Sequence, residues 1–150
     1  MAEGEEKAAT LAAERGALKI PLGFDCREFK AHFQLVAEEA LREIRRQIGF
    51  LPARAWLPVG SGTLVRAFYR AAPAQMEIHC VDVHVLPPQD LRIQSLRTLP
   101  NVRHYSAAQE FKERAGRLPP VPSNLHYDAK LWAVLESHAG DGDLWWNVAR

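Results

Sequence analysis

The clearest pattern in the chain is an apolar residue at every third or fourth position between residues 25 and 49. This spacing places the apolar side chains on one face of a helix, with charged residues opposite. We expect Asp25 to cap the helix and Gly49 to end it. The apolar positions are Phe29, Phe33, Val36, Ala37, Ala40, Leu41, Ile44 and Ile48.

A second pattern joins two apolar runs, residues 55–59 and 76–85, through an amphipathic stretch that ends near Ala72. Short runs rich in β-branched residues are typical of parallel strands that are covered on both faces. The pattern therefore predicts a strand, a helix and a second strand. Elsewhere the pattern predicts strands at residues 17–22, 101–106 and 144–148, helices at 107–115 and 127–137, and no clear element at 89–100.

Strands that alternate with helices predict an α/β fold, with three layers and a mostly parallel sheet between helices on both faces. We expect residues 1–15 to form an N-terminal helical or frayed segment, and residues 16–150 to form a single α/β domain. A chain of 150 residues is long enough to bury one core of this kind.

Composition changes this picture mainly by exclusion. A formal net charge of +1 argues against a surface built for nucleic acid or an anionic membrane. No apolar run approaches the ~18–20 residues of a membrane span, and the acidic N-terminus lacks a signal-peptide pattern. Cys26 and Cys80 form neither a C-x-x-C pair nor a disulfide framework. We expect a cytoplasmic protein without membrane or nucleic-acid partners.

The first candidate site is the turn Gly60-Ser61-Gly62-Thr63, which we call the glycine loop, together with Leu64. A strand runs into this turn and a helix follows, so unpaired N–H groups would face any anion placed there. The turn is no Walker loop because no Gly-Lys-Ser/Thr follows, and Arg66 stands where a dinucleotide fingerprint has its third glycine. The pattern indicates phosphate or carboxylate binding, although any tight strand-to-helix turn also favours Gly and Ser.

Asp82 stands 22 residues after Gly60, near the end of the second strand. An acid at this distance binds a ribose hydroxyl in nucleoside-binding folds, which opens an S-adenosylmethionine or nucleotide site as an alternative. The other interpretation is that Asp82 has only a structural role, as a carboxylate at the end of a strand that is hydrogen-bonded to a neighbouring turn. Cys80, Asp82 and His84 share one strand face, but alternate side chains lie nearly 7 Å apart, so we expect no metal site.

A second polar cluster, Ser123, Asn124, Tyr127 and Asp128, follows three prolines and opens a helix. Helix capping explains part of this composition. The same groups, held beside the last strand, also suit contacts with the ring of a cofactor or with a substrate.

Four segments together resemble the C-terminal part of a small family of bacterial and phage proteins related to fold-type-II pyridoxal-phosphate-dependent enzymes. The broader group includes the D-cysteine desulfhydrase and aminocyclopropane-carboxylate deaminase branch. The most diagnostic elements are Tyr127-Asp128-Ala129-Lys130 and Trp146-Asn147-Val148. The resemblance implies a phosphate cup at the glycine loop and Leu64, ring contacts near residues 123–128, and lyase or deaminase ancestry. The segments are residues 18–25, 56–64, 119–132 and 144–148.

The chain departs from this family because no segment resembles Pro-Gly-Gly-Thr-Lys, which carries the Schiff-base lysine. The resemblance therefore implies a domain that binds a phosphate-bearing small molecule and is incomplete as a catalyst alone. A lysine-bearing partner chain or a homo-oligomer would complete it. The alternatives are a non-catalytic interaction or regulatory module on the same scaffold, and an enzyme that binds S-adenosylmethionine or a nucleotide.

Overall fold

The computed structural model describes residues 2–148 and shows a parallel sheet between helices, which confirms the predicted α/β class. The strands are β1 (Arg54–Val59), β2 (Glu77–Asp82), β3 (Val102–Ser106) and β4 (Leu144–Trp145), in the order β3-β2-β1-β4. The helices are α1 (Ala2–Glu14), α2 (Arg27–Ile48), α3 (Thr63–Ala71), α4 (Leu91–Leu96) and α5 (Trp132–His138). Two 3-10 turns lie at Leu22–Phe24 and Asp128–Leu131.

Side chains of the central strand β1 alternate between two cores, because successive residues of a strand point to opposite faces. Leu57 and Val59 pack with buried residues of α2, α3 and α4 on one face. Trp56 packs with Val81 of β2 and with residues of α5 on the other. The three predicted layers follow from this alternation.

Helix α2 confirms the predicted stop but not the predicted cap. Gly49 adopts a left-handed conformation with φ 84°, and its N–H donates to the Arg45 carbonyl. Cys26 occupies the N-cap position without a side-chain hydrogen bond, while Asp25 pairs with Lys30 at 2.8 Å. Among residues 2–148, no helix combines the length and apolarity needed to span a membrane.

The predicted apolar stripe of α2 is wider than the face that the fold covers. Ala37 and Leu41 are buried, whereas Val36 and Ile48 are 42% and 50% exposed. A 22-residue helix is about 33 Å long and its nine-residue neighbour α3 about 14 Å, so α3 covers only part of α2.

Other predicted elements were wrong in type or length. Residues 17–22 form no strand. Residues 107–115 form no helix: the Ala115 N–H donates to the Leu125 carbonyl rather than to the Phe111 carbonyl, which accepts from the Lys130 ammonium. β2 ends at Asp82, whose carboxylate accepts from the His84 N–H. The last strand shortens to two residues, and the helix at 127–137 begins as a 3-10 turn. The missed helix α4 is capped by Asp90.

Candidate functional site

The glycine loop joins β1 directly to α3, and Gly62 makes this tight turn possible. Gly62 has φ 78°, a left-handed conformation that side chains other than glycine rarely adopt. A Cβ at this position would lie 2.8 Å from the Leu96 Cδ1 atom. The local backbone therefore requires glycine for both conformation and space.

A cavity of about 360 Å³ lies against the glycine loop at the carboxyl ends of the strands. Pro58 comes from the end of β1, Val85 follows β2, and Val148 follows β4. In open parallel sheets, ligands bind in crevices at this edge. All five residues proposed to bind the phosphate, Gly60, Ser61, Gly62, Thr63 and Leu64, line the cavity. The remaining wall residues are Leu22, Gly23, Phe24, Phe29, Leu86, Phe111 and Tyr127.

The 3-10 turn Leu22–Phe24, which we call the strap, lies over the glycine loop. The Ser61 hydroxyl donates to the Gly23 carbonyl at 3.4 Å, and a Cβ at Gly23 would lie 2.2 Å from the Ser61 Oγ atom. Phe24 stacks on Phe29 of α2 with 5.1 Å between ring centroids. Leu22, predicted as the end of a strand, thus belongs to a turn that forms a wall of the cavity.

The hydroxyl groups of the glycine loop already bond to each other. Ser61 and Thr63 share a hydrogen bond of 2.9 Å, and the Thr63 N–H points to the Ser61 oxygen at 3.4 Å. Arg66 donates to the Ser61 carbonyl at 3.4 Å and to the Ser95 hydroxyl at 2.8 Å. The positive end of α3 and the Arg66 guanidinium both favour negative charge near this loop.

Tyr127 reaches the glycine loop from the second polar cluster. Its phenol lies against Gly60, since a Cβ at Gly60 would lie 2.6 Å from the phenol oxygen. Burial, with the nearby charges of Asp128 and Asp82, raises the pKa of Tyr127 to about 12, although the nearby Gly60 backbone opposes the shift. Tyr127 therefore keeps its proton at neutral pH and presents a neutral phenol to the cavity.

Replacement of Gly60 by alanine should destabilise the fold through this contact, by about 1–3 kcal/mol. Since Gly60 is not among the positive-φ residues, the cost arises from crowding against the Tyr127 hydroxyl rather than from backbone strain. The loss should shrink in a Tyr127→Phe background, where that hydroxyl is absent. Urea unfolding of the double-mutant cycle measures the coupling.

Gly4→Ala is the matched control for this cycle, because no atom lies within 4 Å of a Cβ built at Gly4. It should leave stability undiminished in both backgrounds. An equal loss for Gly60→Ala with and without the Tyr127 hydroxyl would contradict the contact.

The other members of the second polar cluster make hydrogen bonds that hold neighbouring chain segments together. The Asn124 side chain accepts from the His126 N–H, and the Ser123 hydroxyl accepts from Asn147 at 2.9 Å. Asp128 is fully buried and accepts from the Val148 N–H at 3.0 Å. None of Ser123, Asn124 and Asp128 is among the residues that line the cavity in the described part of the chain.

Asp82 lies outside the cavity. It lines a separate pocket of about 140 Å³ with Arg97 and His104, at the ends of β2 and β3. Leu96 separates this pocket from the glycine loop, since it lines the pocket and also lies next to Gly62. The fold therefore does not bring Asp82 and the glycine loop into one binding space.

No lysine of residues 2–148 is among the wall residues of the cavity. Lys130 is 1% exposed and donates to the carbonyls of Glu110 and Phe111 at 2.6 and 3.1 Å. Burial lowers the pKa of Lys130, against the opposing charges of Glu113 and Glu110. Lys30 pairs with Asp25.

Several residues that line the cavity could not be recognised as site residues from the sequence. Leu22, Gly23, Phe24 and Phe29 precede the glycine loop by more than 30 residues, and Phe111 follows it by almost 50. Apolar residues of this kind are typical of any core. Only the segment of residues 18–25, singled out by resemblance, pointed to one of these walls.

Comparison with known proteins assigns no family. No protein-family model matches the chain, and no curated protein matches it. The resemblance to fold-type-II pyridoxal-phosphate-dependent enzymes therefore stays a prediction from its four segments. Among residues 2–148, no group of three or more His, Cys, Asp or Glu residues is placed to hold a metal ion.

Proposed function

We propose that the chain is a ligand-binding α/β domain that takes a small molecule with a flat aromatic ring and one phosphate group. The observation that carries this proposal is the cavity of about 360 Å³ against the glycine loop. Its size falls in the range of small-molecule sites, and apolar walls with a few polar groups are typical of such sites. The ligand would enter at the carboxyl edge of the sheet.

Pyridoxal phosphate is the ligand that we propose for this cavity. The hydroxyls of Ser61 and Thr63 and the start of α3 would hold its phosphate, while Phe24 and Phe29 would border its ring. When bound, this cofactor withdraws electrons from a carbon of an amino-acid substrate. The aromatic rings and hydroxyl groups among the wall residues support this proposal.

The same residues offer no covalent attachment for the cofactor aldehyde. Lys130, the lysine within the most diagnostic motif, is buried against two carbonyl groups. We therefore propose non-covalent binding by this chain and no complete lyase or deaminase reaction without help. A lysine-bearing partner chain, or a second copy of this chain, would supply the missing group.

The decisive experiment is a titration with pyridoxal 5′-phosphate, followed by tryptophan fluorescence and calorimetry. Gly62→Ala should weaken binding at least about tenfold, since its Cβ would meet Leu96 and strain the loop. Pyridoxal without phosphate should also bind about tenfold more weakly, because the loop would lack its anion. Inorganic phosphate measures the contribution of the anion alone.

Gly142→Ala is the matched control for this titration. Gly142 has a similar φ of 83°, but a Cβ there would meet only Phe50 at 3.5 Å, and it lies outside the cavity. Gly142→Ala should strain the backbone locally but leave the affinity for pyridoxal 5′-phosphate unchanged. Wild-type protein that shows no saturable binding up to about 1 mM would overturn the proposed function.

One observation favours a second candidate, a non-catalytic interaction or regulatory module. Leu18 and Ile20, which precede the strap, are 91% and 63% exposed. Exposed apolar groups beside a cavity are typical of surfaces that contact other proteins. Under this alternative, the same titration gives no saturable binding, and Gly62→Ala leaves partner association unchanged. The separation of Asp82 from the glycine loop gives no such support to a nucleotide-binding enzyme.

A further inference from the structure

The turn that carries Tyr127-Asp128-Ala129-Lys130 contacts three separate walls of the cavity. Tyr127 lies against Gly60, Asp128 accepts from the Val148 N–H, and the Lys130 ammonium donates to the Phe111 carbonyl. Gly60, Phe111 and Val148 all line the cavity. Asp128 and Lys130 do not, although both are almost completely buried.

Lys130 holds the wall that has the least regular structure. Residues 107–118 contain no helix or strand, so no regular ladder of backbone hydrogen bonds holds this segment in place. The Lys130 ammonium holds this segment instead, because it donates to the Glu110 and Phe111 carbonyls. It also lies 5.7 Å from the centroid of the Phe111 ring. One buried cation thus fixes both the backbone and the ring at this wall.

We propose that Lys130 is a positioning residue that fixes Phe111 as a wall of the ligand cavity, without touching the ligand itself. Asp128 holds the wall at Val148 in the same way, so the turn orients two walls that are distant from each other in sequence. This inference rests on the proposed function for its consequence in binding. The contact between Lys130 and the wall at Phe111 is testable without any ligand.

The first arm of the experiment measures hydrogen–deuterium exchange of residues 107–118 by mass spectrometry, with no ligand present. Lys130→Met, which keeps the apolar length and removes the ammonium, should speed exchange in this segment about tenfold or more. β1 and β2 should keep their protection. Lys130→Arg, which restores a cation with N–H donors, should recover most of the wild-type protection.

Lys112→Met is the matched control, because it makes the same chemical change at an exposed lysine of the same segment. It should leave exchange as in wild type. Unchanged exchange in Lys130→Met would overturn the positioning role. If Lys130→Met does not fold, Lys130→Gln, which keeps an uncharged donor, carries the comparison. If exchange in Lys130→Met and Lys130→Gln rises as much in the sheet as in residues 107–118, the positioning role is also overturned.

The second arm repeats the titration with pyridoxal 5′-phosphate. Lys130→Met and Phe111→Ala should both weaken binding about tenfold, and their effects should not add, because both remove the same wall. If the losses of binding free energy in the two variants add fully in the double variant, Lys130 does not act on binding through Phe111. If wild-type protein does not bind this probe, the proposed function fails, and the exchange arm still decides whether Lys130 holds the wall.

Discussion

Truncation of Phe68 to alanine should lower the free energy of unfolding by about 3–5 kcal/mol. Phe68 lies on α3 with no exposed surface, and its ring meets that of Trp146 edge-on at 5.2 Å between centroids. The variant loses the burial of the ring and leaves a cavity between α3 and the sheet. Denaturant unfolding monitored by circular dichroism measures the loss.

Phe50→Ala is the control for this truncation, since it removes the same atoms from a side chain that is 51% exposed. Its cost should stay below about 1 kcal/mol. A loss below about 1 kcal/mol for Phe68→Ala, with an unchanged dependence on denaturant, would contradict the packing of α3 against the sheet.

Replacement of Asp143 by alanine should cost about 2–3 kcal/mol at neutral pH. The carboxylate accepts from the Trp56 indole at 2.8 Å, the Arg54 guanidinium at 2.9 Å and the Gly140 N–H at 3.0 Å. Its side chain is only 9% exposed. Without the carboxylate, the Trp56 N–H in the core loses its partner. Urea unfolding at pH 7 measures this cost.

The cost of Asp143→Ala should also depend on pH. Burial raises the pKa of Asp143, but hydrogen bonds from Trp56, Gly140 and Arg54 outweigh it and hold the pKa below the usual 3.8. A depressed pKa in the folded state stabilises the fold above pH 3.8, and this contribution disappears as the pH falls through the folded-state value. The difference between wild type and variant should therefore narrow in acid below pH 3.8. A difference that stays constant from pH 7 to strong acid would contradict the role of the ionised carboxylate.

The two polar motifs of the sequence have different roles in the structure. The glycine loop borders the cavity directly, and its position follows from the end of β1 and the start of α3. Of the second cluster, Tyr127 borders the cavity, while Asp128 and the neighbouring Lys130 lie behind its walls. Polar residues close together in sequence can thus serve a site in two ways, by lining it or by holding the segments that line it.

Much of the fold was predictable because its main elements have strong local patterns. The apolar spacing of α2 and its stop at Gly49 are local features, and so is the unit of β1, α3 and β2. The failures depended on distant contacts. Residues 107–115 form contacts with distant segments in place of a helix: the Ala115 N–H donates to the Leu125 carbonyl, and the Phe111 carbonyl accepts from Lys130. Local spacing carries no information about such distant partners.

The candidate site divides in the same way. Gly60, Ser61 and Gly62 were predictable as a turn, because a tight connection between a strand and a helix favours small residues, and Thr63 and Leu64 follow them as the start of the helix. Leu22, Phe24 and Phe29 were not, because an apolar residue in a cavity wall has the same composition as one in a core. Their role appears only where the strap crosses the glycine loop.

The sequence by itself determined the α/β class, the strand that runs into the glycine loop and the need for glycine in that turn. These properties depend on periodicity and on backbone conformation, which neighbouring residues set. Only the tertiary structure decided that the strap, Phe111 and Val148 enclose a cavity against the loop, and that Asp82 lies outside it. Enclosure depends on contacts between segments far apart in the chain, and the packing of the whole domain fixes those contacts.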